Sequence, residues 1–404
     1  MPQKFVYRAR DQAGKLVKGK IEAENRNQAI TLLRERKSFV VEIKEASYGV
    51  SISLDKIFQK KVSTRELAIM CRQLAAMTEA GVPILQSLSI LTQQYDHKTL
   101  KETIIQVIRK LEGGKSLTES FKAFPRVFPR FMNSMLEAGE VGGALDQVLE
   151  RLAVSLDREH ELKEKVKSAM TYPAFVAAMA VLAIAMLLII VVPQFVIMLT
   201  DMKAPVPPAT QMLIMFSVFL KNSWYVVLIL IAGIVFSYRQ AVQTGPGKKI
   251  RDQIVLNLPV FGPLIRKIII ARFCRSLSTL LKSGVPILQS LDVVKNIAGN
   301  YAVIKSIEEA EDSIKEGQSI SLPLQKSGVF PPMVTRMISI GEETGSVDIL
   351  LEKIAGYYER EVEEMAARLS ALLEPVLIVG IGGVVGLIIL SIMLPVFSII
   401  SNFQ

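Results

Sequence analysis

Few residues of this chain combine the types and spacing that catalysis or ligand binding would require. Gly114-Lys115-Ser116 resembles the end of a phosphate-binding loop, but that motif needs another glycine five residues before Gly114, where Arg109 stands. The only histidines, His97 and His160, have no second metal ligand at helical spacing. No Gly-x-Ser-x-Gly nucleophile signature occurs. The sequence therefore predicts no catalytic residue, no cofactor, no metal centre and no nucleotide hydrolysis.

Cysteines and acidic clusters give no stronger indication of chemistry. Cys71 and Cys274 are isolated, without the Cys-x-x-Cys spacing of metal or redox sites. Acidic clusters at residues 308–312 and 359–364 could attract a cation or a basic partner surface. Solvated helix faces explain the same clusters without any ligand.

The apolar residues are concentrated in runs of membrane length. Hydrophobic residues make up 50% of the 404 residues, and the mean hydropathy is +0.36. No charged residue occurs between Lys167 and Asp201, between Lys221 and Arg239, or after Glu374. About 20 apolar residues cross the bilayer hydrocarbon as a helix. We therefore predict three transmembrane helices, at residues 174–200, 222–239 and 375–399.

The net charge of +10 follows these spans. Short segments on the cytoplasmic side of membrane helices carry an excess of Lys and Arg. Cations cluster before the first span and after the second, whereas residues 201–221 contain only Lys203 and Lys221 and residues 400–404 contain none. We therefore predict a cytoplasmic N-terminus, a periplasmic connection at 201–221, a cytoplasmic connection at 240–265 and a periplasmic tail at 400–404. A nucleic-acid-binding face is a weaker explanation of the charge, and no nucleic-acid partner is expected.

One domain occurs twice in the chain. The eight residues of Gly81–Leu88 recur unchanged as Gly284–Leu291. Gly139–Gly143 matches Gly341–Gly345, and the match extends into the membrane, where prolines recur at equivalent positions. These pairs are Pro173 with Pro375 and Pro193 with Pro395. Because the repeat includes the membrane helix that closes each half, the first and third spans run in the same direction and the second returns between them. Residues 63–173 and 266–374 are thus predicted to be cytoplasmic helical bundles.

Each repeat has the pattern of about six helices. Apolar residues recur at spacings of three and four, as at Leu67, Met70, Cys71 and Leu74. Ser116–Glu119 has the pattern of a capping box. Residues that end or begin helices recur in both repeats and are the candidate partner-contact positions: Gly81, Pro83, Gly139, Glu140, Gly143, Gly284, Pro286, Gly341, Glu342 and Gly345.

The Gly-Glu pairs among these positions predict a specific local structure. Gly81 is expected to end a helix and Pro83 to start the next. Gly139 is expected to end a helix, with Glu140 near the N-terminal dipole of the following one. Glu140 and Glu342 were both retained by the duplication. Capping explains that retention, and contact with a partner protein is the alternative.

Residues 1–46 form a different, small α/β module. Phe5–Ala9, Lys15–Ala23 and Phe39–Ile43 are predicted strands, Asn27–Arg36 is a predicted amphipathic helix, and residues 11–14 form a turn. The module is joined to the first bundle by a polar linker at 47–62. It is too short for a large core, which favours an accessory contact domain.

The spans contain no Asp, Glu, Lys, Arg or His, which argues against a transporter or proton relay. Gly382 and Gly386 are in the register of a helix-packing motif. Pro173 and Pro375 stand where two spans begin, and Pro193 and Pro395 are expected to bend or end those spans. Prolines in the outer connection predict a stiff, non-helical segment: Pro205, Pro207 and Pro208.

The predicted fold is a mainly α polytopic membrane protein with three transmembrane helices, two duplicated cytoplasmic bundles and the small N-terminal module. This combination resembles the inner-membrane platform proteins of type IV pilus and type II secretion systems (PilC/GspF-type). Specific marks are the paired Gly-Val-Pro segments, the turns at Gly139–Gly143 and Gly341–Gly345, and the segments Ala169–Pro173, Val191–Phe195 and Leu258–Gly262. The resemblance covers almost the whole chain and slightly favours the pilus branch.

The resemblance implies a function that the residues alone do not. Such proteins form the membrane base on which pilin or pseudopilin subunits are added, and they contact a cytoplasmic hexameric ATPase. It also implies other inner-membrane alignment proteins as partners, a homo-oligomer that is a dimer or larger, and a bacterial inner-membrane location. The lack of a nucleotide site agrees with an ATPase on a separate chain. A scaffold without a motor and a transporter are the alternative classes.

Overall fold

The computed structural model describes residues 3–10, 16–23, 26–35, 39–45, 61–201 and 208–402. It divides into two compact units, Met1–Lys60 and Lys61–Gln404. In the first unit, β1 (Gln3–Arg10) pairs antiparallel with both β2 (Leu16–Ala23) and β3 (Phe39–Glu45).

Helix α1 (Arg26–Glu35) completes this unit, and its apolar face forms the core of the module. Ala29 and Leu33 of α1 are buried with Ala23 and Ile43 of the sheet. The predicted strands and helix of the N-terminal module are thus confirmed. The predicted turn at 11–14 and residues 47–60 of the predicted linker lie outside the described residues.

The first repeat consists of six helices, as predicted. Ser63 begins the first of them with a capping box, in which its hydroxyl accepts a hydrogen bond from the Glu66 amide at 3.2 Å. The predicted apolar positions Leu67, Met70 and Leu74 are buried. The helices are α2 (Thr64–Glu79), α3 (Ile84–Gln94), α4 (Lys98–Glu112), α5 (Leu117–Lys122), α6 (Arg130–Gly142) and α7 (Leu145–Met186).

Helix α7 continues through a π-helical turn, Leu187–Val191, into α8 (Val192–Asp201). Three further helices lead to the second repeat: α9 (Pro208–Asn222), α10 (Trp224–Gln243) and α11 (Gly245–Asn257). The second repeat again has six helices: α12 (Phe261–Lys282), α13 (Ile287–Ala298), α14 (Tyr301–Lys315), α15 (Ser321–Lys326), α16 (Pro332–Thr344) and α17 (Val347–Asn402).

The two repeats share one continuous hydrophobic core, which extends from Leu67 in α2 to Tyr358 in α17. The long helices α7 and α17 also contact each other directly. Leu162 of α7 packs with Val362 and Leu369 of α17. The bundles are therefore two halves of one compact unit rather than separate domains.

Within the described part of the chain, three helices are long and apolar enough to cross a membrane: Leu145–Met198, Trp224–Val242 and Val347–Pro395. The number of these helices agrees with the three predicted spans, and so does the position of their apolar regions in the sequence. Helices α11 and α12 meet at a bend of 108° and would add a fourth candidate only if the bent pair were one span. Phe273 and Leu277 of α12 are buried in the core that the two repeats share, so α12 is a helix of the second bundle.

The prolines interrupt the spans less than predicted. Pro173 and Pro375 lie inside continuous helices. Pro193 and Pro395 were expected to bend or end their spans. Neither proline ends its span, because the helix continues past both of them, to Asp201 and to Asn402. At Pro193 the local change is the preceding π-helical turn, because proline lacks the amide hydrogen that an α-helix needs at that position.

The prediction of a non-helical outer connection is wrong from Pro208 onward. Residues 202–207 lie outside the described residues, but α9 begins at Pro208 and runs to Asn222. Proline is favourable at the first position of a helix because the amide hydrogen it lacks would have no helical acceptor there. The proline cluster thus includes a helix start.

Candidate functional site: paired turns and the helices that enter the membrane

The two identical eight-residue segments form the same turn. Gly81 follows α2 with φ +81°, and the Val82 amide donates to the Met77 carbonyl at 2.9 Å. Gly284 has the same φ of +81°, and the Val285 amide donates to the Leu280 carbonyl at 3.1 Å. This is the hydrogen bond that closes a helix on a left-handed glycine.

A proline follows each of these turns. Pro83 and Pro286 immediately precede the first residues of α3 and α13. The prediction that the glycine ends one helix and the proline starts the next is therefore confirmed in both repeats.

Glu140 caps a helix, but not the one predicted. Its carboxylate lies at the N-terminus of the preceding short helix α5, where it accepts hydrogen bonds from the amides of Leu117 at 2.8 Å and Thr118 at 3.0 Å. Ser116 supplies the remaining cap, since its hydroxyl accepts from the Glu119 amide at 3.1 Å. A helix of six residues cannot pair its own first amides, so α5 depends on these acceptors.

Partial burial and hydrogen bonding act in opposite directions on the Glu140 carboxyl. Burial alone raises its pKa, but the hydrogen bonds from Thr118 and Leu117 outweigh that effect and lower the pKa below its usual value. The carboxylate therefore stays charged at neutral pH, as an acceptor of two amide hydrogens must.

Glu342 has the same role in the second repeat. It accepts from the Ile320 amide at 2.6 Å and from the Ser319 hydroxyl at 2.6 Å, at the start of α15. The Ser321 amide donates to the Ser319 hydroxyl at 3.1 Å. The duplication thus retained the glutamate together with the short helix that it caps.

Gly139 was predicted to end a helix, and this prediction is wrong. Helix α6 runs on to Gly142, and Gly143 ends it with φ +67°. Gly139 instead packs against the first turns of α7, where a Cβ on this residue would lie 3.0 Å from the Val148 side chain.

The second repeat has the same arrangement. Gly345 ends α16 with φ +69°. A Cβ on Gly341 would stand 2.9 Å from the Val347 backbone. The first glycine of each motif therefore permits close packing, and the last glycine ends the helix.

An ion pair recurs between the first helix and the long helix of each repeat. Arg72 of α2 pairs with Asp157 of α7. The equivalent Arg275 of α12 binds Glu359 of α17 through two hydrogen bonds of 2.9 and 2.7 Å. Burial alone lowers the pKa of Arg275, but its hydrogen bonds to Glu359 and the charge of that residue raise it overall. Sequence reasoning missed this pair, although Asp157 and Glu359 align once the repeats are matched.

Polar contacts also join the two long helices where they approach the membrane. Lys165 of α7 pairs with Glu363 of α17 at 2.5 Å. The Ser370 hydroxyl of α17 donates to the Ala169 carbonyl of α7, just before Pro173. The helices that carry Pro173 and Pro375 are therefore bonded to each other directly before the spans begin.

Within the spans, α9 supplies two hydroxyls to carbonyls that prolines have left without a helical donor. Pro395 has no amide hydrogen for the Ser391 carbonyl, and Thr210 of α9 donates to that carbonyl at 2.6 Å. In the π-helical turn the Val192 amide bonds to the Leu187 carbonyl.

The next carbonyl in this turn, that of Leu188, has no donor within the helix. The amide that would follow in register belongs to Pro193, which has no hydrogen. Ser217 of α9 donates to the Leu188 carbonyl at 2.5 Å. We call Thr210 and Ser217 the span clamp. Both are nearly fully buried, at 3% and 2% exposed. No pattern in the sequence pointed to these two residues.

Other predicted candidates have simpler surroundings. No atom lies within 4 Å of a Cβ built on Gly382 or Gly386, leaving aside the helix's own nearby backbone, so these glycines pack against no other helix of the described chain. Their predicted helix packing therefore has no partner within the described chain and stays a prediction. Cys71 and Cys274 are buried thiols.

The acidic cluster at 308–312 is largely ion-paired. Lysines pair with three of its carboxylates: Lys305 with Glu309 at 3.6 Å, Lys295 with Glu311 at 3.3 Å and Lys315 with Asp312 at 2.9 Å. Among the residues that the structure describes, no group of three His, Cys, Asp or Glu side chains could hold a metal ion.

The fold and these paired sites define a polytopic membrane protein built from a duplicated helical domain. The family description "Type II secretion system (T2SS), protein F" matches residues 70–193 and again residues 273–395, once in each repeat. The description of that protein's N-terminal domain matches residues 1–44. The chain therefore belongs to the type II secretion system protein F family.

Individual relatives cover nearly the whole chain. Type IV pilus assembly protein PilC of Thermus thermophilus is 42% identical over 99% of each chain. The protein of the same name from Myxococcus xanthus is 37% identical over 99% of this chain and 96% of its own. Type II secretion system protein F of Aeromonas hydrophila is 33% identical over 94% of this chain and 98% of its own.

Proposed function

We propose that this protein is the inner-membrane platform on which a type IV pilus is assembled. The observation that carries the proposal is the identity of 42% and 37% to relatives named for pilus assembly, over both repeats and the N-terminal module. The alternative is the equivalent platform of a type II secretion system, favoured by the 33% identity to a protein of that name.

The proposed orientation places both repeats in the cytoplasm. It rests on the excess of Lys and Arg before the first span and after the second, and on the duplication of the first and third spans. In this orientation the N-terminus is cytoplasmic and the C-terminus is periplasmic.

The proposed partners are a cytoplasmic hexameric ATPase, pilin subunits, other inner-membrane alignment proteins and further copies of this chain, as a dimer or larger oligomer. The candidate turn positions and Gly382 and Gly386 are proposed contact sites for these partners. The proposed role needs no catalytic residue in this chain, since the ATPase would supply the chemical energy.

Helices α7 and α17 are the proposed path of mechanical coupling. Each runs from the bundle through a proline into the membrane without a break. Because Lys165–Glu363 and the Ser370 hydrogen bond join the two helices, a shift of one bundle would move both spans together. That movement would release or admit pilin subunits at the base of the fibre.

A charge-reversal experiment tests the coupling. Lys167→Glu and Arg368→Glu change side chains that are 73% and 77% exposed at the membrane-proximal ends of these bundle helices. We expect several-fold less ATPase to co-purify with the double variant and fewer surface pili. Lys315→Glu makes the same change on α14, which continues into no span, and is the matched control. Unchanged ATPase binding and piliation in the double variant would contradict the coupling.

Gene deletion tests the choice between the two systems. Loss of surface pili with normal protein export supports the pilus platform, and the reverse supports the secretion platform. Complementation with the full chain must restore whichever function is lost.

A further inference from the structure

A cavity with a cationic wall lies where α11 and α14 meet the loop that follows α15. Its volume is about 530 Å³, within the range of small-ligand sites. Four cationic side chains contribute to the wall: Lys249, Arg266, Lys305 and Lys326.

The carboxylates of the wall are already compensated by other groups. Asp252 is 3% exposed, pairs with Arg251, and accepts from the Tyr301 amide at 2.9 Å. Glu309 pairs with Lys305 at 3.6 Å.

The other three cations of the wall have no such compensation. Among the described residues, Lys249, Arg266 and Lys326 have no carboxylate partner within 4 Å. The Nζ atom of Lys249 instead lies over the Tyr301 ring, 5.2 Å from the ring centroid. The wall thus contains four cationic side chains and two carboxylates, an excess of two positive charges, which favours an anionic ligand.

The helix end at the cavity is not the source of this preference. Asp252 accepts from the first amide of α14, and the Asn300 side chain accepts from the next, that of Ala302, at 2.9 Å. Because these two amides already donate to acceptors within the chain, binding of an anion would depend on the cationic side chains. Ammonium and guanidinium groups of this kind bind phosphate oxygens by charge-assisted hydrogen bonds.

The cavity is also close in sequence to a membrane helix. The candidate span Trp224–Val242 ends seven residues before Lys249, and only Thr244 separates α10 from α11. Basic pockets beside membrane helices are suited to anionic lipid headgroups. We propose that this cavity binds a phosphate-bearing anion, either the headgroup of an acidic phospholipid or a soluble phosphate compound. The site is independent of the proposed pilus function.

The test uses the full-length protein in nanodiscs. Thermal unfolding is followed in phosphatidylcholine alone, in phosphatidylcholine with phosphatidylglycerol or cardiolipin, and in phosphatidylcholine with added inorganic pyrophosphate. We expect the midpoint to rise with one of the anions, and the rise to weaken as salt is increased. The double variant Lys249→Gln, Lys326→Gln should need at least tenfold more anion for the same rise.

Two controls separate the cavity from general surface charge. Lys248→Gln with Lys353→Gln removes the same charge at two positions outside the cavity, the first half-buried and the second exposed, and should leave the response unchanged. Lys249→Arg keeps the charge and should retain the response. A rise with acidic lipid alone identifies a headgroup, and a rise with pyrophosphate alone identifies a soluble ligand. No rise with either anion, or equal losses in the cavity and control variants, overturns the proposal.

Discussion

The span clamp gives a prediction whose magnitude can be worked from the structure. Thr210→Val removes the hydroxyl that serves the Ser391 carbonyl and keeps the side-chain volume. Leaving a buried carbonyl without a partner costs about 1–3 kcal/mol. Side-chain hydrogen bonds measured in membrane proteins average only about 0.6 kcal/mol, with a maximum of about 1.7. Because Pro395 leaves this carbonyl no helical donor, we expect the free energy of unfolding to fall by about 1–2 kcal/mol.

A double-mutant cycle isolates the cause. Pro395→Ala restores an amide hydrogen four residues after Ser391, so the Ser391 carbonyl regains a donor within its own helix. In that background Thr210→Val should cost about 0.5 kcal/mol or less, which makes the coupling energy about 1 kcal/mol. Unfolding of the full chain by SDS in mixed micelles measures all four members of the cycle.

A matched control comes from the same helix. The Ser391 hydroxyl donates to the Leu387 carbonyl, which the Ser391 amide also serves in a regular helix. Ser391→Ala therefore leaves no carbonyl unpaired and should change stability by less than about 0.5 kcal/mol. If Thr210→Val costs the same with and without Pro395, the hydroxyl does not compensate for the proline and the reasoning fails.

Three further predictions concern the bundles. Glu140→Gln should lower stability by about 1 kcal/mol at neutral pH, as loss of a helix cap does. The pKa of Glu140 in the folded protein lies below the usual 4.5, so the wild type loses this extra stability as the pH falls from about 4.5 through the folded-state pKa. Thermal unfolding from pH 7 to pH 3 should therefore show the midpoints of the two proteins converging. Gly341→Ala places a Cβ 2.9 Å from the backbone of the next helix and should lower the free energy of unfolding by about 1–3 kcal/mol. Gly356→Ala, with open space at its Cβ, should be neutral or stabilising. Chemical denaturation of both variants measures the difference. Burial raises the pKa of the Cys71 thiol to about 12, so a maleimide should label it only after unfolding; rapid labelling of the native protein would contradict its burial.

The sequence predicted the features that depend on local composition or on identity between repeats. Runs without charge located the spans, since a helix in hydrocarbon needs a continuous apolar surface. The repeated Gly-Val-Pro segments located a helix end and start, because a left-handed glycine followed by proline has few other uses. In both cases the signal lies within a few residues of the structure that it specifies.

The features that were missed depend on distant partners. Glu140 was assigned to the following helix because that helix is next in sequence, but its carboxylate caps the α5 amides 22 and 23 residues earlier. The available signal was a spacing that recurs in both repeats. Gly114-Lys115-Ser116 precedes Gly139-Glu140 by nearly the same distance as Gly317-Gln318-Ser319 precedes Gly341-Glu342. Pro208 was taken as a helix breaker because a single residue type cannot tell the interior of a helix from its first turn.

The span clamp explains why a single connecting helix can serve both copies of a duplicated span. The duplication placed a proline at equivalent positions in the first and third spans, at Pro193 and Pro395, so each span contains a carbonyl without a helical donor. A carbonyl without a hydrogen-bond partner is unfavourable in hydrocarbon, so each of these carbonyls needs a donor from elsewhere in the protein. The single helix α9 supplies both donors. Thr210 and Ser217 are seven residues apart, which is two helical turns, and they therefore lie on one face of that helix. The same face carries one hydroxyl to each span, and the apolar contacts of Leu213 between them join the cluster that both spans form. These hydrogen bonds join α9 to the C-terminal parts of both the first and the third span. A movement of either span should therefore be transmitted to the other through α9.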